Sequence, residues 1–301
     1  MLNGLINIKK EQDYTSNDVV AKLRGIVRQK KIGHTGTLDP QATGVLPVCL
    51  GNATKLCDYM TEKDKEYVAT LRLGLTSDTQ DIWGEIRSKA DATGILLQQL
   101  EDAFTQVQER GEQVPPMYSA ISIGGKRLYE LAREGKVVER PARKVRIDAI
   151  RILSYDNPDA KICVQCGKGT YIRTICADAG ELLGCGAVMT SLVRTKVGIF
   201  PLEKAHTLDE VERYRAEGRL EELLIPTDRI LEEYPALHIR DAARKYLLNG
   251  NPLTKDSFAD KIEIGNTCYR IYDTDGSFCA LYKDGNPDGR LYPEQMFLPD
   301  R

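Results

Sequence analysis

Residues 33–47 read GHTGTLDPQATGVLP. These fifteen positions hold three glycines, two prolines, one histidine and a single acid, Asp39. Gly33, Gly36 and Gly44 admit backbone angles closed to other residues, or let another backbone approach closely. Pro40 pushes Asp39 towards an extended conformation and has no N–H to donate. The stretch therefore predicts a tightly turned loop presenting one carboxylate. Two readings stay open on these residues alone: a structural turn with a capping aspartate, or a rigid mount for a reactive group. No Walker-type lysine follows the glycines and no serine-hydrolase motif is present, which disfavours phosphate cradling and serine hydrolysis.

The flanking sequence predicts both helices and strands. Residues 4–8 (GLINI) predict a strand that leads into a helix. Thr15 or Ser16 can cap this helix, and Val19, Val20, Leu23, Ile26 and Val27 form its apolar face. In EYVATLRL (66–73), strand alternation puts Tyr67, Ala69, Leu71 and Leu73 on one face. A helix over 95–109 carries Leu96, Leu97, Leu100, Ala103, Phe104 and Val107 at helical spacing. Strands are expected near 145–154, 161–166 and 187–200. A helix from about Arg173 to Leu183 sits between the last two, with Gly184 placed to end it. Thr207 and Glu210 make a capping box for another helix. Helices and strands are interspersed without regular βα alternation, which predicts an α+β fold with a mixed, mainly antiparallel sheet flanked by helices. Near residue 231 the character changes to a linker, a short helix and small β segments. The turn dipeptides there are Asp275-Gly276 and Asp284-Gly285. The expected division is a main domain over 1–230 and a small β-rich domain over 231–301.

The chain has 301 residues, 42% of them hydrophobic, enough for a substantial core. No apolar run of about 18 residues is present, so no membrane span is expected. The start, MLNGLINIKK, lacks a signal-peptide pattern, and a cytoplasmic location is expected. In that compartment the eight cysteines should be free thiols. Cys163 and Cys166 form a CxxC, but strand geometry sends positions i and i+3 to opposite faces and no second CxxC supplies further ligands. Buried structural thiols are expected there, not a metal site. The net charge of −2 counts mildly against a nucleic-acid binder. The local distribution says otherwise. Residues 22–31 carry five cations and no acid, and residues 126–151 carry nine Lys or Arg against four acids.

The 33–47 loop resembles the signature of the bacterial pseudouridine synthases of the TruB family, which modify tRNA. Further segments agree in order: LPVCLGNATKL (46–56), KEYVATLRLGLTSDTQD (65–81), VPPMYSAISIGGKRLYELAREG (114–135), GKGTYIRTICADAGELLGCGA (167–187) and SLVRTKVGIF (191–200). The resemblance spans roughly residues 4–230. It implies a pseudouridine synthase fold, with the tail broadly similar to the family's small RNA-binding end domain of the PUA type. One stretch departs from the pattern. The family's usual Asp-Lys-Pro-x-Gly run is replaced by IKKEQDYTS, which keeps positive charge at Lys9 and Lys10 but has neither the proline nor the glycine. A different backbone path into the first helix is therefore expected.

The resemblance implies isomerisation of a uridine in the tRNA T loop, at position 55 of tRNA, to pseudouridine. Uracil must leave the ribose C1′, turn over and rejoin through C5. Nothing is oxidised and no group is imported, so no cofactor and no metal are implied. Asp39 then matches the family's catalytic carboxylate, acting by attack, by stabilising charge at C1′ or by taking a sugar proton. Such a carboxylate is expected in a pocket that excludes water. Arg173, in GTYIRT, matches the cation that keeps it ionised, with a fork able to hold it by two hydrogen bonds; on its own it reads as a surface helix cation. Tyr67 matches a ring that stacks on the displaced base, where the bland reading is core. Leu192 matches an apolar pocket wall or plain core. His34 matches a residue that steadies the RNA conformation. Lys55 is assigned a phosphate contact or a solvated surface. Segment 114–146 resembles an insertion that grips the RNA, its phosphate affinity coming from Lys126, Arg127, Arg133, Arg140, Arg143 and Lys144, and its mobility from Gly124 and Gly125. The target is expected to be everted from its loop. No obligatory protein partner is implied, and a monomer is expected. A tRNA-binding factor without catalysis and a carboxylate-dependent nucleoside hydrolase are the competing readings.

Overall fold

A computed structural model gives the fold, and it describes residues 1–260, 265, 267–284 and 289–298. Its centre is an eight-stranded sheet. The strand order is Gly4–Lys10, Thr43–Leu50, Ala187–Val197, Lys65–Leu73, Asp159–Cys166 and Ile147–Asp156, with Ile32–His34 added on Thr43–Leu50 and Phe200–Pro201 on Ala187–Val197. Every pairing is antiparallel except one. Thr43–Leu50 runs parallel to Ala187–Val197, touching through Val193 opposite Thr43 and Arg194 opposite Gly44. The sheet is mixed and mainly antiparallel, as its sequence predicts.

The single parallel contact joins the two halves of the sheet, and it requires Gly44. That residue has φ +105°, and a Cβ there would lie 2.2 Å from the Arg194 carbonyl oxygen. No other residue lets the two backbones meet. The contact lies directly after the 33–42 loop, so the loop is delivered to the middle of the sheet.

Several predicted elements stand where the sequence puts them. Thr15 caps helix Ser16–Val27 in a reciprocal box with Asp18, and Thr207 does the same with Glu210 for helix Leu208–Ala216. Tyr67, Ala69, Leu71 and Leu73 all face inward. In helix Leu97–Arg110, Leu100, Ala103, Phe104 and Val107 are buried, whereas Leu96 and Leu97 are exposed. The helix begins at Leu97, so these two leucines precede the first turn that meets the core. The 187–200 strand expectation is also corrected. It stops at Val197 and turns, and Phe200–Pro201 pairs back on its end. Cys163 and Cys166 are buried in Asp159–Cys166 as free thiols.

The tail builds a second sheet, ordered Ala236–His238, Cys268–Tyr272, Phe278–Asp284 and Leu291–Met296. Asp275 and Gly276 make the expected turn between its middle strands, with Gly276 at φ +82°. Gly285 lies outside the described residues. The sheet has its own core around Leu237, Leu247, Ile271 and Tyr282. Its other face packs against the main sheet, where Leu281 and Phe297 join Leu5, Val45, Phe200 and Leu231. The expected linker therefore starts inside a packed interface: Ile230 and Leu231 are buried in the turn Thr227–Leu231.

Candidate active site

The loop Thr35–Ala42 has no regular structure, yet it is held from every side. Leu38, next to Asp39, is clamped by Ser16 at the start of the first helix: Leu38 N–H donates to Ser16 Oγ at 2.9 Å. The Pro40 carbonyl accepts from Lys10 Nζ at 3.0 Å and from Asp13 N–H at 2.9 Å. Arg194 spans the loop's two ends, its Nε donating to Val45 O at 2.7 Å and its Nη2 to Gly36 O at 3.2 Å. Thr35 N–H and Oγ1 both reach Pro47 O. Each such bond contributes about 0.5–1.5 kcal/mol net, more where the donor is charged. Together they fix a backbone that its own residues leave without ladder bonds.

The atypical segment before the helix takes part in this grip. Asp13 adopts φ +68°, the left-handed conformation a glycine would supply at no cost. Its carboxylate accepts from Gln41, which in turn accepts from Gln12. The segment thus keeps the chain in contact with the loop. Lys10 is fully buried there, and burial pushes its amine down to about 8 against the pull of Asp39 and Asp13.

Arg173 approaches from the first turn of helix Ile172–Leu182. It is 5% exposed, and its Nη2 stands 3.3 Å from Asp39 Oδ2. The same Nη2 donates to Tyr118 O at 2.6 Å, while Nη1 faces Asp81 Oδ2 at 3.9 Å. The expected two-bond fork on Asp39 is thus corrected: the guanidinium is shared among Asp39, Asp81 and the insertion backbone. Its buried Nε has no hydrogen-bond partner among the described residues. The sealed pocket is corrected as well. The Asp39 side chain is 44% exposed, so the structure leaves one side of the carboxylate open.

Tyr67 and Leu192 close the inner wall. They lie on adjacent strands, each 8% exposed, in one cluster with Leu38. Burial raises the Tyr67 phenol, and Arg194 beside it works in the opposite direction. His34, at the end of Ile32–His34, accepts from Gly36 N–H through Nδ1 at 3.3 Å. Burial and Arg194 lower its pKa, so near neutral pH it is an uncharged ring with its proton on Nε2.

The structure therefore brings Asp39, Arg173, Tyr67, Leu192 and His34 to one place. Lys55 stands elsewhere. It is exposed in the turn Gly51–Leu56, and its Nζ donates to Met296 O at 2.7 Å, tying that turn to the tail sheet. Lys126 and Arg127 form a short strand of the insertion, exposed, with Lys126 3.5 Å from Glu134. Gly124 and Gly125, at φ +59° and +82°, are the two loop residues of that hairpin, with Ile123 opposite Lys126. Their left-handed angles serve a tight turn. Arg133, Arg143 and Lys144 are exposed too. Arg140 instead lines a cavity of about 280 Å³ with Gln80, Gln113 and Asp178.

Two site residues escape the sequence reading. Arg194 is 1% exposed on the strand that carries Leu192. A period of two places it on the same face as Leu192, so alternation alone signals it. Asp81 holds Arg173 from the side away from Asp39. It accepts from Thr79 Oγ1 and Trp83 N–H, and burial raises its carboxyl against those bonds and Arg173. Only the end of the TSDTQD block points to it.

The TruB family pseudouridylate synthase N-terminal domain matches residues 24–172, and the tRNA pseudouridylate synthase B C-terminal domain matches 173–232. These family matches and the relatives below define the class: a pseudouridine synthase, an isomerase. Within that class, the chain belongs to the TruB family. It is 46% identical to tRNA pseudouridine synthase B of Lachnoclostridium phytofermentans, covering 99% of this chain and 100% of that protein. It is 40% identical to the protein of the same name from Pseudomonas aeruginosa, covering 98% and 96%. Among solved structures, a Cbf5-Nop10-Gar1 complex contains a chain with a TM-score of 0.73 and 26% identity, over 98% of this chain and 85% of that one. The small tail sheet lies beyond both family domains.

Proposed function

We propose that this enzyme converts the T-loop uridine of tRNA, position 55, to pseudouridine. The observation that carries the reading is the Asp39–Arg173 pair: a rigidly mounted, half-open carboxylate against a buried guanidinium. The C1′–N1 bond of uridine breaks and a C1′–C5 bond forms. C5 loses its proton and N1 gains one, so atoms and electrons balance without an outside reagent. Asp39 meets the developing positive charge at C1′. Tyr67 and Leu192 hold the freed uracil while it turns, and the everted nucleotide itself covers the open side of Asp39. The names of the relatives support tRNA as the substrate. The exposed cations of the insertion supply phosphate affinity, and the tail sheet adds RNA surface. The chain acts as a monomer in the cytoplasm without a protein partner.

Incubating the purified chain with unmodified tRNA and mapping pseudouridine tests substrate, position and independence together. Asp39→Asn should abolish turnover and keep tRNA affinity within about tenfold. Turnover in that variant removes the carboxylate from the chemistry. Free uracil in place of pseudouridine identifies a hydrolase, and binding without product identifies a tRNA factor.

A further inference from the structure

Trp83 is the only tryptophan of the chain. It is 43% exposed, unlike the apolar side chains that line the neighbouring strand. Among the described residues its indole N–H makes no hydrogen bond and its ring no aromatic or cation contact. Its backbone is nevertheless tightly fixed. Asp81 Oδ1 accepts from Trp83 N–H at 3.1 Å and from Thr79 Oγ1 at 2.6 Å, and Ser77 Oγ donates to Asp81 O at 2.6 Å. Asp78 Oδ1 accepts from Glu85 N–H at 2.8 Å. Ile82 N–H donates to Met189 O at 2.9 Å, and Met189 N–H to Gln80 O at 3.1 Å, anchoring the turn on the strand of Leu192.

This turn borders the active site. The other oxygen of Asp81 is the one that faces Arg173 at 3.9 Å. The strand leaving the turn, Ile86–Lys89, carries Arg87 and Lys89, both exposed. A rigidly held, partly solvated indole with cations close by in the chain has the makeup of a base-stacking surface: the ring takes a nucleobase face and the cations take its phosphates. We propose that Trp83 stacks an unpaired nucleobase of the RNA that neighbours the everted uridine. This inference rests on the RNA substrate of the preceding reading. Such a residue adds binding and positioning rather than chemistry.

The single tryptophan provides its own probe. Unmodified tRNA is titrated into the full chain while tryptophan emission is followed, with filter retention of the tRNA measured in parallel. A saturable fall in emission that tracks retention is expected. Trp83→Ala should raise the KM for tRNA by about tenfold and leave kcat within about twofold, and Trp83→Phe should recover most of the loss. Thermal melts of both variants separate stacking from misfolding. Retention and product formation with unchanged emission, or a Phe variant no better than Ala, overturn the stacking role and leave the enzyme reading intact. Absence of both retention and product overturns the RNA reading itself.

Discussion

The 33–47 loop and the 114–146 insertion are both built around cations, and they use them in opposite ways. Around the loop, Lys10, Arg173 and Arg194 are 0%, 5% and 1% exposed, and apart from the Arg173 Nε their donors go to backbone carbonyls and carboxylates of the protein. On the insertion, Lys126, Arg127, Arg133, Arg143 and Lys144 stand in solvent. The ion pairs available there, such as Lys126 with Glu134 at 3.5 Å, are exposed and contribute little to stability. Buried cations pay a desolvation penalty that only fixed partners offset, so they set geometry. Exposed cations keep their charge for a polyanion. One region positions a carboxylate, and the other is suited to attract what the carboxylate acts on. The two meet where Tyr118 O of the insertion accepts from Arg173.

This division can be broken by experiment, beginning with the residue that spans the loop. Arg194→Met leaves the carbonyls of Gly36 and Val45 without donors, and stability should fall by about 2–4 kcal/mol in denaturant titrations. A gain in stability would show that the cost of burying the charge exceeds what its bonds return. Arg173→Lys should lower the turnover rate by about a hundredfold, because an ammonium cannot reach Asp39, Asp81 and Tyr118 O from one rigid plane. A near-normal rate would reduce Arg173 to a point charge.

Lys10 offers a pH test of the buried class. Burial lowers its amine to about 8 from an ordinary 10.5. Between these values the unfolded chain binds more protons than the folded one, so stability attributable to this site rises with pH across that window. Relative to Lys10→Met, the wild type should therefore gain on going from pH 8 to 10.5, by about 2 kcal/mol or less. A flat difference would mean that the amine is hydrated in the folded state. The smallest effect belongs to the exposed class. Replacing Lys126 and Arg127 together by alanine should raise the KM for tRNA severalfold, soften its salt dependence and leave the melting curve unchanged. An unchanged KM would remove this hairpin from the RNA surface.

Much of this is legible in the chain itself. The Gly/Pro punctuation of 33–47 identifies a tight turn around one carboxylate, period-two alternation in 66–73 buries Tyr67, and a cap at Thr15 or Ser16 and the capping box at Thr207 start two helices where they are found. The resemblance of the motif blocks carries Arg173, Leu192 and His34 to the site. Lys55 shows the limit of that transfer. A lysine in a matching block reads equally as a phosphate ligand or a surface charge, and the structure gives it to Met296, far along the sequence. Arg194 shows the converse: its alternation with Leu192 was available, but its two carbonyl partners were not.

The sequence by itself determined most element types and the tight turn that presents Asp39, because propensity, periodicity and turn stereochemistry act over a few neighbouring residues. Tertiary structure alone decided how the Arg173 guanidinium is divided, that Asp39 stays half open, and that Lys10, Asp13, Ser16 and Arg194 converge on one loop. Those outcomes depend on where strands far apart in the chain come to lie side by side, above all at the contact of Gly44 with Arg194, and no local rule contains that distance.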